Sequence, residues 1–183
     1  IISNVTVNTE DQLMTSTPQN INMLSQLGFK FTLARAPHLQ YFTNAVELPG
    51  INLSVAEQPT PFVSIPFSGK CTYEDLTVQF KIDENFGNWF ELHDWITALG
   101  SPASFAGFRE LKDKPLGDQK GLTSDIELTI LKSSMTPHIG ITFKDAFPTS
   151  ISPLTFNAQD LDVEYLSATA TFRYLSYAVR RTT

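Results

Sequence analysis

KCTYEDLTVQFKIDENFGNWFELHDWITALG, residues 70–100, holds the change of period that decides the fold. From Tyr73 to Asp83 the residues alternate. Leu76, Val78, Phe80 and Ile82 point one way, and Tyr73, Asp75, Thr77, Gln79, Lys81 and Asp83 the other, because strand side chains two apart share a face. This predicts a half-buried strand, apolar on one side. At Asp83 the period lengthens: Phe86, Trp89, Phe90, Leu92, His93, Ile96 and Leu99 fall largely on one side of a helix. Asp83 is expected to cap the free amides of the first turn, and Glu84 suits the positive end of the helix dipole. Gly100 accepts the left-handed conformation that ends a helix, and Pro102 cannot continue it. Trp89 and Trp95 read as core and rim of the helix face.

Outward from this stretch, alternation marks further strands. Phe29, Phe31 and Leu33 alternate with Lys30 and Thr32; a second strand runs from Tyr41 to Glu47 after a turn at Pro37. Ile126, Leu128 and Ile130 alternate with Glu127 and Thr129. Ile139, Ile141 and Phe143 follow across a stretch, Ser133 to His138, that suits a hairpin connection. From Glu164 to Tyr177, Leu166, Ala168, Ala170, Phe172 and Tyr174 oppose Tyr165, Ser167, Thr169, Thr171 and Arg173. Between Pro49 and Gly69 stand Pro49, Pro59, Pro61 and Pro66, which remove backbone donors and favour an extended edge or loop. About six strands and one principal helix predict a mainly β fold: an antiparallel sandwich or barrel with one flanking helix. Domain limits are expected at an N-terminal arm, 1–27, with a short helix near Ile21 to Leu27. A β-barrel domain follows over 28–179, with a loop insertion at 101–123, and then a C-terminal tail, 180–183.

Composition narrows function. The chain has 183 residues, 42% of them hydrophobic with 14 Phe, enough for a packed domain. A net charge of −6 gives no general affinity for nucleic acid, and no basic stripe appears beyond Arg180 and Arg181. One cysteine excludes an internal disulfide framework. No apolar run approaches the ~20 residues that span a bilayer, and the amino-terminal IISNVTVNTE lacks the regions of a secretion signal. A soluble, cytoplasmically made protein is expected. Since the chain opens at Ile1 and not at methionine, a few residues are expected to be missing or removed.

Catalytic chemistry finds little support. His93 and Asp94 are adjacent on a helix and are expected to point about 100° apart. His38 and His138 are expected in loops, without partners at metal-ligand spacing. Cys71 reads as a small semi-buried residue. Glu74 and Asp75 lie on opposite faces of their strand, and Ser68-Gly69-Lys70 lacks the earlier glycine of a phosphate-binding loop and precedes a strand. No cofactor, no metal and no enzymatic activity are expected. The shared feature of the strands is a polar face of Thr, Ser and Gln.

Seven stretches in consistent order carry a resemblance. They are Phe29 to Leu33; Val46 to Gly50; Ile65-Pro66 to Gly69-Lys70; and Glu74 to Val78 with Asp83-Glu84. Asp94-Trp95-Ile96, Ile141 to Ser150 and Ala168 to Tyr174 complete them. Together they resemble the tail tube proteins of contractile-tailed bacteriophages. The resemblance implies hexameric rings whose sheets merge into a cylinder, stacked into a tube that conducts DNA within a contractile sheath. It implies as partners further copies of the chain, the sheath protein, baseplate and tail terminator proteins, and the tape measure protein and passing DNA without specific binding. No membrane is implied. The place is the virion tail, assembled in the host cytoplasm.

The same resemblance implies residue roles. Asp75, Thr77, Gln79, Glu127, Thr129, Thr142, Thr169 and Thr171 would face the lumen. Pro49, Gly50, Pro59, Pro61, Phe62 and Pro66 would lie in a stacking or inter-subunit loop. Six copies at −6 carry about −36 per ring, a sign that repels phosphates wherever it faces the bore. The arm and the insertion are additions to the shortest members of the family. They leave a baseplate tube-initiator or tube-end ring as an alternative. A tail-tip carbohydrate-binding β-domain, with Tyr73, Tyr165 and Tyr177 exposed, is the alternative of another class. A secretion-needle homologue differs only by genome context.

Overall fold

The computed structural model describes residues 22–100, 109, 121–157 and 165–181. Most of the expected arm and of the expected insertion at 101–123 therefore lies outside the described residues. Residues 22–27 form coil and a turn, not the short helix expected there.

Among the described residues, nine strands and two helices follow in the order β1 Phe29–Leu33, α1 Pro37–Phe42, β2 Thr43–Glu47, β3 Ile51–Pro59, β4 Ser64–Tyr73, β5 Leu76–Lys81, α2 Gly87–Gly100, β6 Ser124–Leu131, β7 Pro137–Ile151, β8 Ser167–Arg173 and β9 Ser176–Arg181. All strand pairs are antiparallel. One sheet runs β1-β6-β7-β9 and the other β2-β5-β8-β7, so the 15-residue β7 belongs to both.

The corner between the sheets has a local cause. Lys144 still pairs with Ser176 of β9, whereas Phe147 pairs with Arg173 of β8. Between them Asp145 takes φ 54°, and one extra residue of β7 stands opposite β6 between Ser124 and Ile126. An extra residue unpairs the ladder locally and bends the strand. The Asp145 amide donates to Asp125 Oδ1 at 3.1 Å, and its own carboxylate accepts from Thr123 Oγ1 at 3.2 Å. Across the corner, β8 and β9 follow β7 as one strand broken at Tyr174 and Leu175. The expected final strand is thus two elements, and β9 extends it to Arg181; Glu164 lies outside the described residues.

The inward faces of both sheets meet in a single core. Phe31, Leu33, Ile126, Leu128, Ile141 and Phe143 come from one, and Leu76, Val78, Phe80, Ala168, Ala170 and Phe172 from the other. Helix α2 adds Leu92 and Trp95, and α1 adds Leu39. Trp95 Nε1 donates to the Leu122 carbonyl at 3.0 Å, and the Arg35 guanidinium lies 4.9 Å above the indole. The first sheet ends at β1 and the second at β2, and these two edges are not paired with each other. The barrel is open along that seam.

Several local expectations are corrected. The strand expected over Tyr73–Asp83 is interrupted at Glu74 and Asp75, where β4 ends and β5 begins. Helix α2 starts at Gly87 and not at Asp83. The Phe86 amide donates to the Asp83 carbonyl at 2.8 Å, closing a turn, and Phe86 at φ 57° offers its carbonyl to the Phe90 amide. Four residues are thereby spent before the helix, and the buried stripe becomes Asn88, Leu92 and Trp95. Trp95 is the core indole; Trp89 is half-buried and Phe90 exposed. Asn88 is fully buried and satisfied: its amide donates to the Lys81 carbonyl at 2.7 Å and its Oδ1 accepts from the Asp83 amide at 3.3 Å. Pro37 to Phe42 is a short helix, with proline in its first turn where a missing N–H does no harm. His38 therefore sits on a helix, and His138 at the start of β7.

Residues 51–73 form a two-stranded ribbon, β3 with β4, which pairs with no other strand among the described residues. The prolines do not prevent this, because an isolated ribbon has edges on both sides where a missing donor is tolerated.

Candidate functional site

The expected lumen residues fall on two different surfaces. Thr77 stands opposite Thr171, and Gln79 opposite Thr169, on the outer face of β2-β5-β8-β7. Glu127 stands opposite Thr142 on the outer face of β1-β6-β7-β9, and Thr129 opposite Gly140. Since both inner faces build one core, these two polar faces look away from it on different sides. Asp75 lies in the break between β4 and β5 and pairs with Arg173, Nε to Oδ1 3.3 Å.

The two faces differ in chemistry. Around Thr77, Gln79, Thr169 and Thr171 stand Glu47 opposite Thr77 and Ser150 opposite Thr171. Lys81 is held to Ser167 Oγ at 2.8 Å. The face is therefore rich in hydroxyls, with its cations engaged. The other face carries Lys30, Asp125, Glu127, Lys144 and Arg180. Carboxylates gather instead near α2, at Asp83, Glu84, Glu91 and Asp94.

Among the described residues two unpaired strand edges bound the seam, the outer edges of β1 and β2. Between them lies an apolar groove of about 510 Å³ lined by Phe29, Val46, Leu48, Leu128 and Ile130 among others. At the far end of the second sheet, β6 pairs β7 only as far as Ala146, leaving the outer edge of Phe147–Ile151 without a strand among the described residues. An unpaired row of backbone donors and acceptors is a ready template for another strand.

The ribbon holds the expected inter-subunit residues. Pro59 ends β3, Pro66 lies in β4, and Pro61 and Phe62 form the tip, with Phe62 96% exposed. Pro49 and Gly50 sit at the root. There the Glu74 carboxylate accepts from the Gly50 amide at 3.3 Å and from Asn52 Nδ2 at 3.0 Å. Tyr73 packs against Tyr174 and Tyr177, and the Tyr174 hydroxyl donates to the Glu74 carbonyl at 2.9 Å. Burial pushes that hydroxyl's pKa up to about 12, so it stays a donor. The sequence marks Glu74 only as a discounted carboxylate and Tyr174 only as one of a strand's apolar-side residues, although Gly50 marks the pinch they close.

Among residues considered for chemistry, Cys71 is exposed on β4, not semi-buried. His93 Nδ1 lies 3.1 Å from Asp94 Oδ1 on an exposed helix face, contrary to the separation expected of adjacent helical residues. The imidazole stacks on Trp89 at 4.8 Å. Among the described residues no group of three His, Cys, Asp or Glu is placed to hold a metal ion, and no helix is long and apolar enough to cross a membrane.

The sequence matches the family model described as phage tail tube protein over residues 7–180. A search of curated proteins finds no match. Among solved structures, a chain of the anti-feeding prophage cap, described as the AFP tube terminating cap, is 15% identical and superposes with a TM-score of 0.60, covering 93% of this chain and 99% of that one. A chain of the PVC sheath–tube complex, an extracellular contractile injection system in its extended state, is 12% identical with a TM-score of 0.57, covering 96% and 100%. A chain of the PVC sheath/tube terminator gives 13% and 0.55, covering 87% and 97%. At such identities the likeness is one of fold.

Proposed function

The chain belongs to the phage tail tube protein family, and from that premise we propose that it is the repeating subunit of a contractile tail's tube, joined edge to edge into hexameric rings that stack as a conduit for DNA. Membership over nearly the whole chain makes it a structural component of the virion tail; the geometry supports how it assembles. The outer edge of β2 would pair with Phe147–Ile151 of the next copy, so that β2-β5-β8-β7 runs on around the ring. The apolar seam beside β2 would be covered by the same neighbour.

In this arrangement the hydroxyl face of Thr77, Gln79, Thr169 and Thr171 lines the bore, with Asp75 near its rim. Glu127, Thr129 and Thr142, on the other sheet, face away from it. Short hydroxyl side chains with paired cations hold no phosphate, so DNA slides without being bound. The acidic helix α2 lies on the outer wall, toward a sheath. The role asks no catalysis of the chain and no cofactor; sheath, terminator and baseplate proteins are the partners, and assembly takes place in the host cytoplasm. The domain limits proposed are an arm at 1–27, the tube domain at 28–179 and a short tail.

The observation that carries this reading is the family match from residue 7 to 180 joined to a fold whose second sheet has two edges without a strand among the described residues. Negative-stain images of the purified protein, with and without baseplate fractions, test it: rings or tubes are expected, and particles that stay monomeric at high concentration contradict it. A tube-end ring of the same fold is the second reading, favoured by the likeness to a chain of a tube-terminating cap. It predicts one or two rings and no long polymer.

A further inference from the structure

The β3–β4 ribbon joins the barrel through two short connections, Leu48-Pro49-Gly50 before it and Glu74-Asp75 after it. Its residues stay exposed along both strands and it pairs with no other strand among the described residues. A hairpin that rests on so little is free to swing about its root unless the root itself is fixed. The contacts that could fix it converge on one residue, Glu74. On the ribbon side, the Glu74 amide donates to the Gly50 carbonyl at 3.1 Å, so the two connections are bonded to each other. The Glu74 carboxylate then accepts from the Gly50 amide at 3.3 Å and from Asn52 Nδ2 at 3.0 Å, gripping the start of β3. On the barrel side, the Glu74 carbonyl accepts from the Tyr174 hydroxyl at 2.9 Å.

Tyr174 is a fixed point and not a mobile side chain. It is 9% exposed, with its ring centroid 4.9 Å from that of Phe143 and 6.0 Å from that of Tyr177. Tyr73, the last residue of β4, packs on the same cluster. The neighbouring pair of Asp75 with Arg173 lies at the surface, 37% and 62% exposed, where an ion pair contributes little. Gly50 completes the joint from the other side. A Cβ there would come within 2.8 Å of Glu74 Oε2, and the end of a glutamate side chain can move away from it. An alanine at position 50 therefore displaces the grip and spares the fold.

We infer that Glu74 and Tyr174 are positioning residues that lock the ribbon to the barrel at one angle within the single chain. The lock runs through Glu74 alone: its side chain holds the ribbon while its carbonyl is held by the barrel. Losing either bond leaves the ribbon attached by its connections but not aimed. The barrel's own stability is hardly touched, because the core of Phe143, Phe172 and Trp95 lies elsewhere. A segment that already stands at its working angle loses little conformational freedom when something docks on it. The lock belongs to one chain and stands apart from the tube reading.

The test measures the ribbon's angle in dilute single chains by electron–electron double resonance. Cys71 is replaced by serine, and spin labels are attached at Phe62→Cys on the tip and Glu127→Cys on the barrel, both exposed positions. One narrow distance distribution is expected. Glu74→Ala, Tyr174→Phe and Gly50→Ala are each expected to broaden it by about a factor of two or more, and Glu74→Gln, which keeps one acceptor, to restore most of the narrow distance. Ile126→Val, which loosens the core away from the joint, is expected to leave the distribution unchanged. A broad distribution in the unsubstituted joint would show that no lock exists. Narrow distances in both Glu74→Ala and Tyr174→Phe would show that other contacts hold the ribbon, and equal broadening by Ile126→Val would reduce the effect to general stability; each result overturns the inference. Because no assembly is involved, failure of the lock and failure of the tube reading are separate results.

Discussion

Asn88 joins strand to helix by two hydrogen bonds made inside the core. Replacing it with alanine leaves the Lys81 carbonyl and the Asp83 amide without these partners. Asn88→Ala is expected to cost about 1–3 kcal/mol, read as a lower melting temperature; an unchanged melting curve would show that the joint is held by packing alone. Asp145 occupies the left-handed conformation at the sheet corner. A β-branched side chain is strained there, whereas glycine is not. Asp145→Val should therefore destabilise by about 1–3 kcal/mol and Asp145→Gly by clearly less. Equal losses would assign the effect to the carboxylate's bond with Thr123 and not to the backbone. Neither residue is visible beforehand, because nothing in a one-dimensional pattern marks a polar residue that turns inward or an aspartate that leaves the β region.

At the scale of elements, the alternation over Leu76–Ile82 and Ile126–Ile130 announces β5 and β6 because each buries one face only. The same holds for Ile139–Phe143 in β7 and for Ala168–Phe172 in β8. The ribbon gives no such signal. Its register shifts between Leu53 and Val55, so that its apolar face switches, its prolines imitate a loop, and its residues all stay exposed. The helix is foreseen but rotated: the turn at Asp83–Phe86 makes Trp95, 2% exposed, the anchor in place of Trp89. Trp95→Ala is thus expected to cost about 3–5 kcal/mol, and Trp89→Ala much less; the reverse order in denaturant titrations would restore the original assignment. Helices α1 and α2 are tied by His38, whose Nδ1 lies 2.6 Å from Glu91 Oε1. That hydrogen bond and the carboxylate's charge raise the pKa of the imidazole above its ordinary value. The sign follows: the tie is fully present below the unfolded imidazole pKa and fades as pH rises through the higher folded one. Glu91→Gln should lower the His38 midpoint in an NMR titration; no change would mean that the pair does not persist in solution.

For the whole molecule, one open barrel presents four assembly features: two edges of one sheet, an apolar seam and a two-faced ribbon. The order of strands that creates them was predictable only as an antiparallel class, since edges are defined by what does not pair. The expected lumen residues divide for the same reason. Alternation says that Thr77 and Glu127 each face away from a core, not that they face the same way. The direct measurement is a cryo-EM reconstruction of the assembled tube at side-chain resolution. The account predicts Thr43–Glu47 of one copy beside Phe147–Ile151 of the next, with Thr77, Gln79, Thr169 and Thr171 toward the bore. A wall in which Glu127, Thr129 and Thr142 line the bore, or in which β2 stays unpaired, would contradict it.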